Sequence, residues 1–261
     1  MTSLEKFVSI LTPNRQLLAA NLLDKNWFKN TDISVQKAIL SLPDDHEGFV
    51  FDLSNRPDMI GSLEIVKLIK FVEGDYLIIP VFEVYSHTSK KTFTKEYVSW
   101  KMGHRPGIKG VLFVETSGKI THFINIEADK FPVAAKTYDA VGGIFQYTKQ
   151  EVVDLPSQIQ NILKKKLGLN KLDIKRFIDL GNINTDNGLT INYPGIFAAI
   201  IDGKEAQNLV KIHPVNDKIA VKDYLVSIIP IEQLSKYISG IDDAFFLSIV
   251  ARLLAKKVIS L

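Results

Sequence analysis

The sequence predicts an α+β protein: a mixed sheet sandwiched by helices, preceded by an N-terminal helical extension. Three observations predict it. Apolar residues recur at helical period in the first 55 residues, near 157–167, and again at the end of the chain. Between about residues 60 and 127 the texture changes to runs rich in Val, Ile, Phe and Tyr, broken by turn residues. The order along the chain is helices, a β-rich block, a helix, two or three strands and two more helices, which suits a sheet covered by helices. The expected organisation is a helical region over 1–58, a β-rich subdomain over 59–105 and a domain over 106–261.

The elements follow in order. Thr2 and Glu5 have capping-box spacing, and Leu4, Phe7, Val8 and Leu11 form a stripe behind them. Thr12-Pro13 opens a second helix, with proline in its first turn, bearing Leu17, Leu18, Leu22 and Leu23. Asp32 caps a third, which carries Ile33, Ala38, Ile39 and Leu42 and stops at Pro43-Asp44-Asp45. Glu73-Gly74-Asp75 then divides "LEIVKLIKFVEGDYLIIPVFEVYSH" into two strands. "KTFTKEYVSWKM" continues the β pattern, and "GVLFVETSGKITHFINIE" reads as a hairpin around Thr116-Ser117-Gly118-Lys119. "SQIQNILKKKLGL", residues 157–169, is a helix with Ile159, Ile162, Leu163 and Leu167 on one side and Gly168 as its stop. Strands follow in "KLDIKRFIDLGNI" and "NYPGIFAAIIDGKE". "DYLVSIIPIEQLSKYISG" passes from strand to short helix at Pro230, and a capped amphipathic helix with Phe246, Ile249, Leu253 and Val258 ends the chain.

Composition narrows the function. The chain has 261 residues, 46% of them hydrophobic, which is ample for a core. Cysteine is absent, excluding disulfides, thiolate metal sites and cysteine nucleophiles. A net charge of +3 is too weak to imply nucleic acid without clustering, so no nucleic-acid partner is expected. The first residues lack a basic segment before an apolar run, and no run approaches the roughly 18 apolar residues that span a bilayer. The expectation is a soluble, cytoplasmic protein with no membrane partner. The five histidines, 46, 87, 104, 122 and 213, show no metal-ligand spacing.

Several stretches in series resemble the Nudix family, in particular its ADP-ribose pyrophosphatase branch. "GVLFVETSGKITHFINIE" is similar to the family's central hairpin. "FPVAAKTYDAVGGIF" resembles the segment ending in the glycine that begins the Nudix box. "SQIQNILKKKLGL" resembles the box helix, and "NYPGIFAAII" the strand that follows in this branch. "IPIEQLSKYISGIDDAFFLSIVARL" is similar to its C-terminal pattern. The resemblance covers roughly residues 60–261 and implies homodimerisation through the β-rich subdomain. Residues 1–55 have no counterpart in it.

The family motif is Gly-x5-Glu-x7-Arg-Glu-U-x-Glu-Glu-x-Gly-U, with U apolar. Anchored at Gly168-Leu169, its paired glutamates fall on Lys165 and Lys166, its Arg-Glu on Asn161-Ile162, and its central apolar position on Leu163. The upstream glutamate falls on Val153; Glu151 or Asp154 could supply it with a shifted gap. Gly142 and Gly143 lie four or five positions too early for the motif glycine and are expected to form a tight turn. Family hydrolases hold Mg²⁺ or Mn²⁺, hard cations that need oxygen ligands to clamp a diphosphate and activate water. Glutamates at i, i+3 and i+4 converge on such ions from one helix face. Here that face carries Ile162, Lys165 and Lys166, so loss of standard metal-dependent hydrolysis is expected.

Two readings of the lysines stand side by side. Lysines in a last helical turn suit the helix dipole and face water. Alternatively they pair with ligand phosphates in place of the metal. The leading expectation is a degenerate Nudix-fold protein that binds or senses a nucleotide or nucleoside-diphosphate compound, with no cofactor. Lys165, Lys166, Gly143, Phe123 and Tyr193 are its candidate ligand-binding residues; the plainer reading of the aromatics is as core. The alternative is an active hydrolase of compounds such as ADP-ribose, needing Mg²⁺ and drawing its catalytic group from Glu151, Asp154 or a loop residue, Glu205. A nucleic-acid or protein interaction module is a further alternative.

Overall fold

The computed structural model describes residues 3–104, 107–144, 155–167, 172–212, 218–221 and 224–260. They fall into two compact units: Met1–Pro106 with Asp186–Tyr193, and Gly107–Thr185 with Pro194–Leu261. No described helix is long and apolar enough to cross a membrane.

In the first unit short helices cover a sheet. The helices are α1 (Ser3–Val8), α2 (Pro13–Leu23), α3 (Asn26–Lys29), α4 (Ile33–Leu40) and α5 (Glu47–Ser54). The strands β1 (Met59–Ile60), β2 (Leu63–Glu73), β3 (Leu77–Ser86) and β4 (Lys91–Glu96) follow in order, and β5 (Ser99–Trp100) also pairs with β3. The break at Glu73-Gly74-Asp75 falls where the sequence puts it. Helices and strands share one core, in which Trp27 stands edge-on to Phe28 and Phe82, each pair 5.6 Å apart between ring centroids. Leu17 and Ile33, read as core positions, are exposed instead; these short helices bury only the side that meets the sheet, through Leu18, Leu22 and Ile39. Residues 186–193 join this core from far along the chain. Val98 donates to the Leu189 carbonyl at 2.8 Å, and Ile191 donates back to the Val98 carbonyl at 3.2 Å.

The second unit is a mixed sheet with helices on both faces. Its elements are β6 (Gly107–Thr116), β7 (Lys119–Lys130), β8 (Ala135–Asp139), β9 (Val141–Ile144), α6 (Leu155–Leu167), β10 (Ile174–Asn182), β11 (Gly195–Asp202), α7 (Gly203–Ile212), β12 (Lys218–Val221), β13 (Tyr224–Pro230), α8 (Leu234–Ile238) and α9 (Ala244–Ala255). The main path runs β10-β11-β6-β7-β13-β12, with β6 and β11 parallel. Ser117 and Gly118 turn the β6–β7 hairpin with φ of 52° and 77°, the left-handed pair that a two-residue loop needs and that glycine adopts without strain. At the open end of that hairpin β8 pairs with β7 and β9 with β6.

Strand alternation sends side chains to two cores. Ile108, Leu112 and Val114 of β6 join one with Ile159, Leu163 and Leu167 of α6. Val111 and Phe113 join the other with Phe246, Ile249 and Leu253 of α9. The apolar stripe read from α6 is the face it buries, Ile162 only in part; in α9 Phe246, Ile249 and Leu253 are buried, whereas Val258 lies beyond the helix end at Ala255 and is partly buried. Helix α6 is the more informative test, because Leu163 is fully buried whereas Asn161, two positions away, is exposed. Leu163→Ala is expected to lower the unfolding free energy by about 2–5 kcal/mol. Asn161→Ala is expected to change it by less than about 0.5 kcal/mol. Urea denaturation of the two variants checks the pair.

Candidate functional site

Helix α6 forms where the sequence alternates its apolar stripe with polar residues, and it settles on strand β9. Ile162 packs there against Gly143; a Cβ at that glycine would lie 3.2 Å from Ile162 Cγ2, a tight contact that the isoleucine side chain would have to give way to. Gln160 adds a tether by donating to the Leu172 carbonyl at 2.6 Å. The rest of the helix surface is polar. Asn161 and Lys165 are exposed and Lys164 is half-buried. Among the described residues no carboxylate pairs with Lys164 or Lys165. Among the described residues the helix thus carries a lysine without a carboxylate partner, Lys165, and Ile162 at two of the positions where the motif anchored on Gly168 expects carboxylates.

That chemistry does not fit Mg²⁺. An ammonium group has donors only and repels the ion, and an isoleucine offers no ligand. Among the described residues no group of three or more His, Asp or Glu side chains is placed to hold a metal.

The other candidates scatter. Glu151, Val153, Asp154, Gly168, Leu169 and His213 lie outside the described residues, as does the Lys166 side chain. Gly142-Gly143 is not a tight turn: both residues are extended in β9, opposite Lys109 and Ile108. Close packing explains the pair, since a Cβ on Gly142 would stand 2.2 Å from the Ile108 carbonyl oxygen. Phe123 is not a stacking platform. It is fully buried, edge-on to Tyr237 at 5.1 Å and Phe246 at 5.9 Å, because its place on β7 faces the α9 core. Glu205 is not in a loop but in the first turn of α7, half-buried, where the Asp202 side chain accepts from the Lys204 amide at 2.9 Å and starts the helix. Tyr193 belongs to the first unit, with an exposed ring and its amide donating to the His104 carbonyl. The four described histidines each have a local partner: His46 is buried between Asp45 and Glu73, His87 meets Glu64, His104 meets Asp52, and His122 Nδ1 lies 3.0 Å from the Thr121 hydroxyl.

One charged cluster went unread in the sequence. The chain breaks step between β8 and β9, and Ala140 at the break donates its amide to Asp243 Oδ2 at 2.5 Å. Asp243 Oδ1 meanwhile accepts from the Phe245 amide at 2.9 Å, capping α9. Beside it, Lys109 Nζ lies 2.8 Å from both oxygens of Asp139, and Lys130 pairs with the same carboxylate. Burial alone would raise the Asp139 carboxyl, but the two ammonium groups outweigh it and hold it below its ordinary range. Burial, and then the charge of Asp139, push Asp243 the other way, above the ordinary range. Burial likewise raises the neighbouring Tyr237 phenol. The acidic pair before the last helix signalled a cap; Lys109, Lys130 and Asp139 are scattered in sequence and gave no signal.

No family model matches the chain, and no curated protein matches it. Among solved structures the chain is similar to a crystal structure described as an ADP compounds hydrolase, at 10% identity and a TM-score of 0.48, covering 76% of this chain and 92% of that one. The functional reading rests on the residues of the site.

The charge cluster yields a pH prediction. Because folding lowers the Asp139 pKa, its contribution is present above the ordinary value of 3.8 and is lost as pH falls through the lowered folded value. Asp139→Asn is expected to cost about 1–3 kcal/mol of unfolding free energy near pH 7, the scale of hydrogen bonds to a charged group. The gap from the native protein should narrow below about pH 4 in a urea-denaturation series.

Proposed function

We propose that this protein has a Nudix-like second unit that binds a nucleoside-diphosphate compound, of which ADP-ribose is the probe, without metal-dependent hydrolysis. The observation that carries the reading is the surface of α6. Its apolar stripe holds the helix on the sheet, while Lys165 stands exposed and, among the described residues, without a carboxylate partner, at a position where the resembling hydrolases have a carboxylate. A lysine supplies directly the positive charge that a metal would otherwise bring to a diphosphate. Lys166 is assigned to the same ligand. Gly143 serves by keeping the helix seated rather than by touching the ligand. Such a site needs no divalent ion, and its affinity falls with salt because the lysine is solvent-facing.

Calorimetric titration with ADP-ribose, in EDTA and in Mg²⁺, tests this together with a turnover assay. The expected result is saturable binding that is the same in both, with no product formed. Lys165→Glu should weaken binding by roughly tenfold or more, since it replaces an attractive charge with a repulsive one. Mg²⁺-dependent turnover that Glu205→Gln abolishes would overturn the proposal in favour of a displaced catalytic site.

We further propose that two copies associate through the first unit, where Val72, Tyr76 and Leu77 leave apolar surface exposed around the turn between β2 and β3. Sedimentation equilibrium should return the mass of two chains; the mass of one chain at micromolar concentration would contradict it.

A further inference from the structure

The second unit carries a cleft of about 630 Å³ at the tip of the β6–β7 hairpin, to which nothing above gives a role. Lys119 and Ile120 of the hairpin line one side, Arg176 of β10 another, and Lys257 and Val258, just beyond α9, a third. Ile120, Ile231 and Leu254 make an aliphatic floor, half-buried against the core beneath α9. Helix α6 packs into the other core, on the opposite face of the sheet, so the cleft is separate from the α6 surface.

The charge of the cleft is one-sided. Lys119, Arg176 and Lys257 are all exposed, and among the described residues none of them has a carboxylate partner. Glu115 is the one carboxylate among the described lining residues, and Lys175 already pairs with it. Asp179, three positions along β10 from Arg176, stands opposite Phe197 and so points to the α6 face. Glu232, next to Ile231, is exposed and outside the lining. A concave surface lined by one sign of charge concentrates ligands of the other.

Lys257 adds a second, independent observation. Helix α9 closes with the Lys257 amide donating to the Leu254 carbonyl at 2.9 Å and the Val258 amide to the Leu253 carbonyl at 3.0 Å. That closure puts residue 257 in the left-handed conformation, with φ of 56°, where glycine is the ordinary occupant. The backbone alone favours glycine there. A cation held in that conformation at the wall of a cleft is the pattern of a residue retained for what it binds.

The lining also selects the kind of anion. A guanidinium forks onto a phosphoryl group, and lysines add point charges beside it. The volume is that of a small-molecule site. No aromatic side chain is among the described lining residues, so the cleft offers no platform for a stacked base, and its floor suits an aliphatic body. We propose that this cleft binds a small phosphate monoester with an aliphatic body. Arg176, Lys119 and Lys257 donate to the phosphoryl oxygens, and the carbon chain lies on Ile120, Ile231 and Leu254.

Calorimetric titration of the full chain with hexyl phosphate tests the proposal. Inorganic phosphate, the charge without the tail, and hexan-1-ol, the tail without the charge, are the controls. Saturable binding of hexyl phosphate is expected, at least about tenfold tighter than of either control. Arg176→Gln should weaken it by about tenfold. Lys257→Gly should weaken it by about threefold or more. The same variant should leave the melting temperature of the ligand-free protein unchanged or higher, because glycine suits the left-handed position. Lys165→Glu, on α6, should leave hexyl phosphate affinity unchanged, which separates this cleft from the diphosphate site proposed above. Absence of saturable binding, equal affinity for either control, or unchanged affinity in both cleft variants would each overturn the proposal. So would loss of binding in Lys165→Glu, or a lower melting temperature for ligand-free Lys257→Gly.

Discussion

Asp243 takes one backbone amide on each of its carboxylate oxygens, and the second unit is arranged around that double acceptance. One oxygen starts α9; the other takes the Ala140 amide, which the break between β8 and β9 leaves outside the strand ladder. A single N-cap is worth about 0.5–2 kcal/mol. Here the same group also anchors a strand, so the C-terminal helix and the inserted β8–β9 segment are positioned together. Lys109 and Lys130 neutralise the adjacent Asp139, so two carboxylates can lie side by side in a largely buried place. Strand β9, held in this way, is the surface on which α6 rests from the opposite face.

The candidate site is a consequence of that arrangement. Gly143 lets Ile162 seat the helix, and the buried stripe then decides which residues remain outside. A helix anchored in the same orientation with glutamates outside could gather divalent ions; an exposed ammonium such as that of Lys165 repels them. Scaffold and chemistry are thus carried by different faces of one helix, so the chemistry can change while the packing stays.

Much of this was legible in the chain. The stripe of Ile159, Ile162, Leu163 and Leu167 fixed the buried face of α6, because helical period and burial are the same signal. Thr116-Ser117-Gly118-Lys119 marked a hairpin, whose loop proves to be Ser117 and Gly118 alone, both in the left-handed conformation such a loop demands. Other features were hidden for physical reasons. Gly142-Gly143 looks like a turn to any local reading, but its glycines serve a close approach made by distant residues. Asp202-Gly203 looks like the end of a strand, and it is, but Asp202 also starts α7, so Glu205 sits on a helix. The docking of residues 186–193 onto Val98 depends on pairing across some ninety positions, which leaves no local pattern. The Lys109–Asp139–Lys130 cluster is hidden for the same reason. For the site itself, the sequence supplied the charge of the helix, and the structure supplied its orientation and, among the described residues, no carboxylate paired with Lys164 or Lys165.

The central claim is that the cationic face of α6 recognises a diphosphate without a metal. Backbone amide ¹H–¹⁵N spectra recorded while ADP-ribose is added in EDTA test it at residue level. The account predicts saturable shifts concentrated on the amides of α6 and β9, unaltered by later addition of excess Mg²⁺. Spectra that stay unchanged until Mg²⁺ is present, or shifts confined to the first unit, would contradict it.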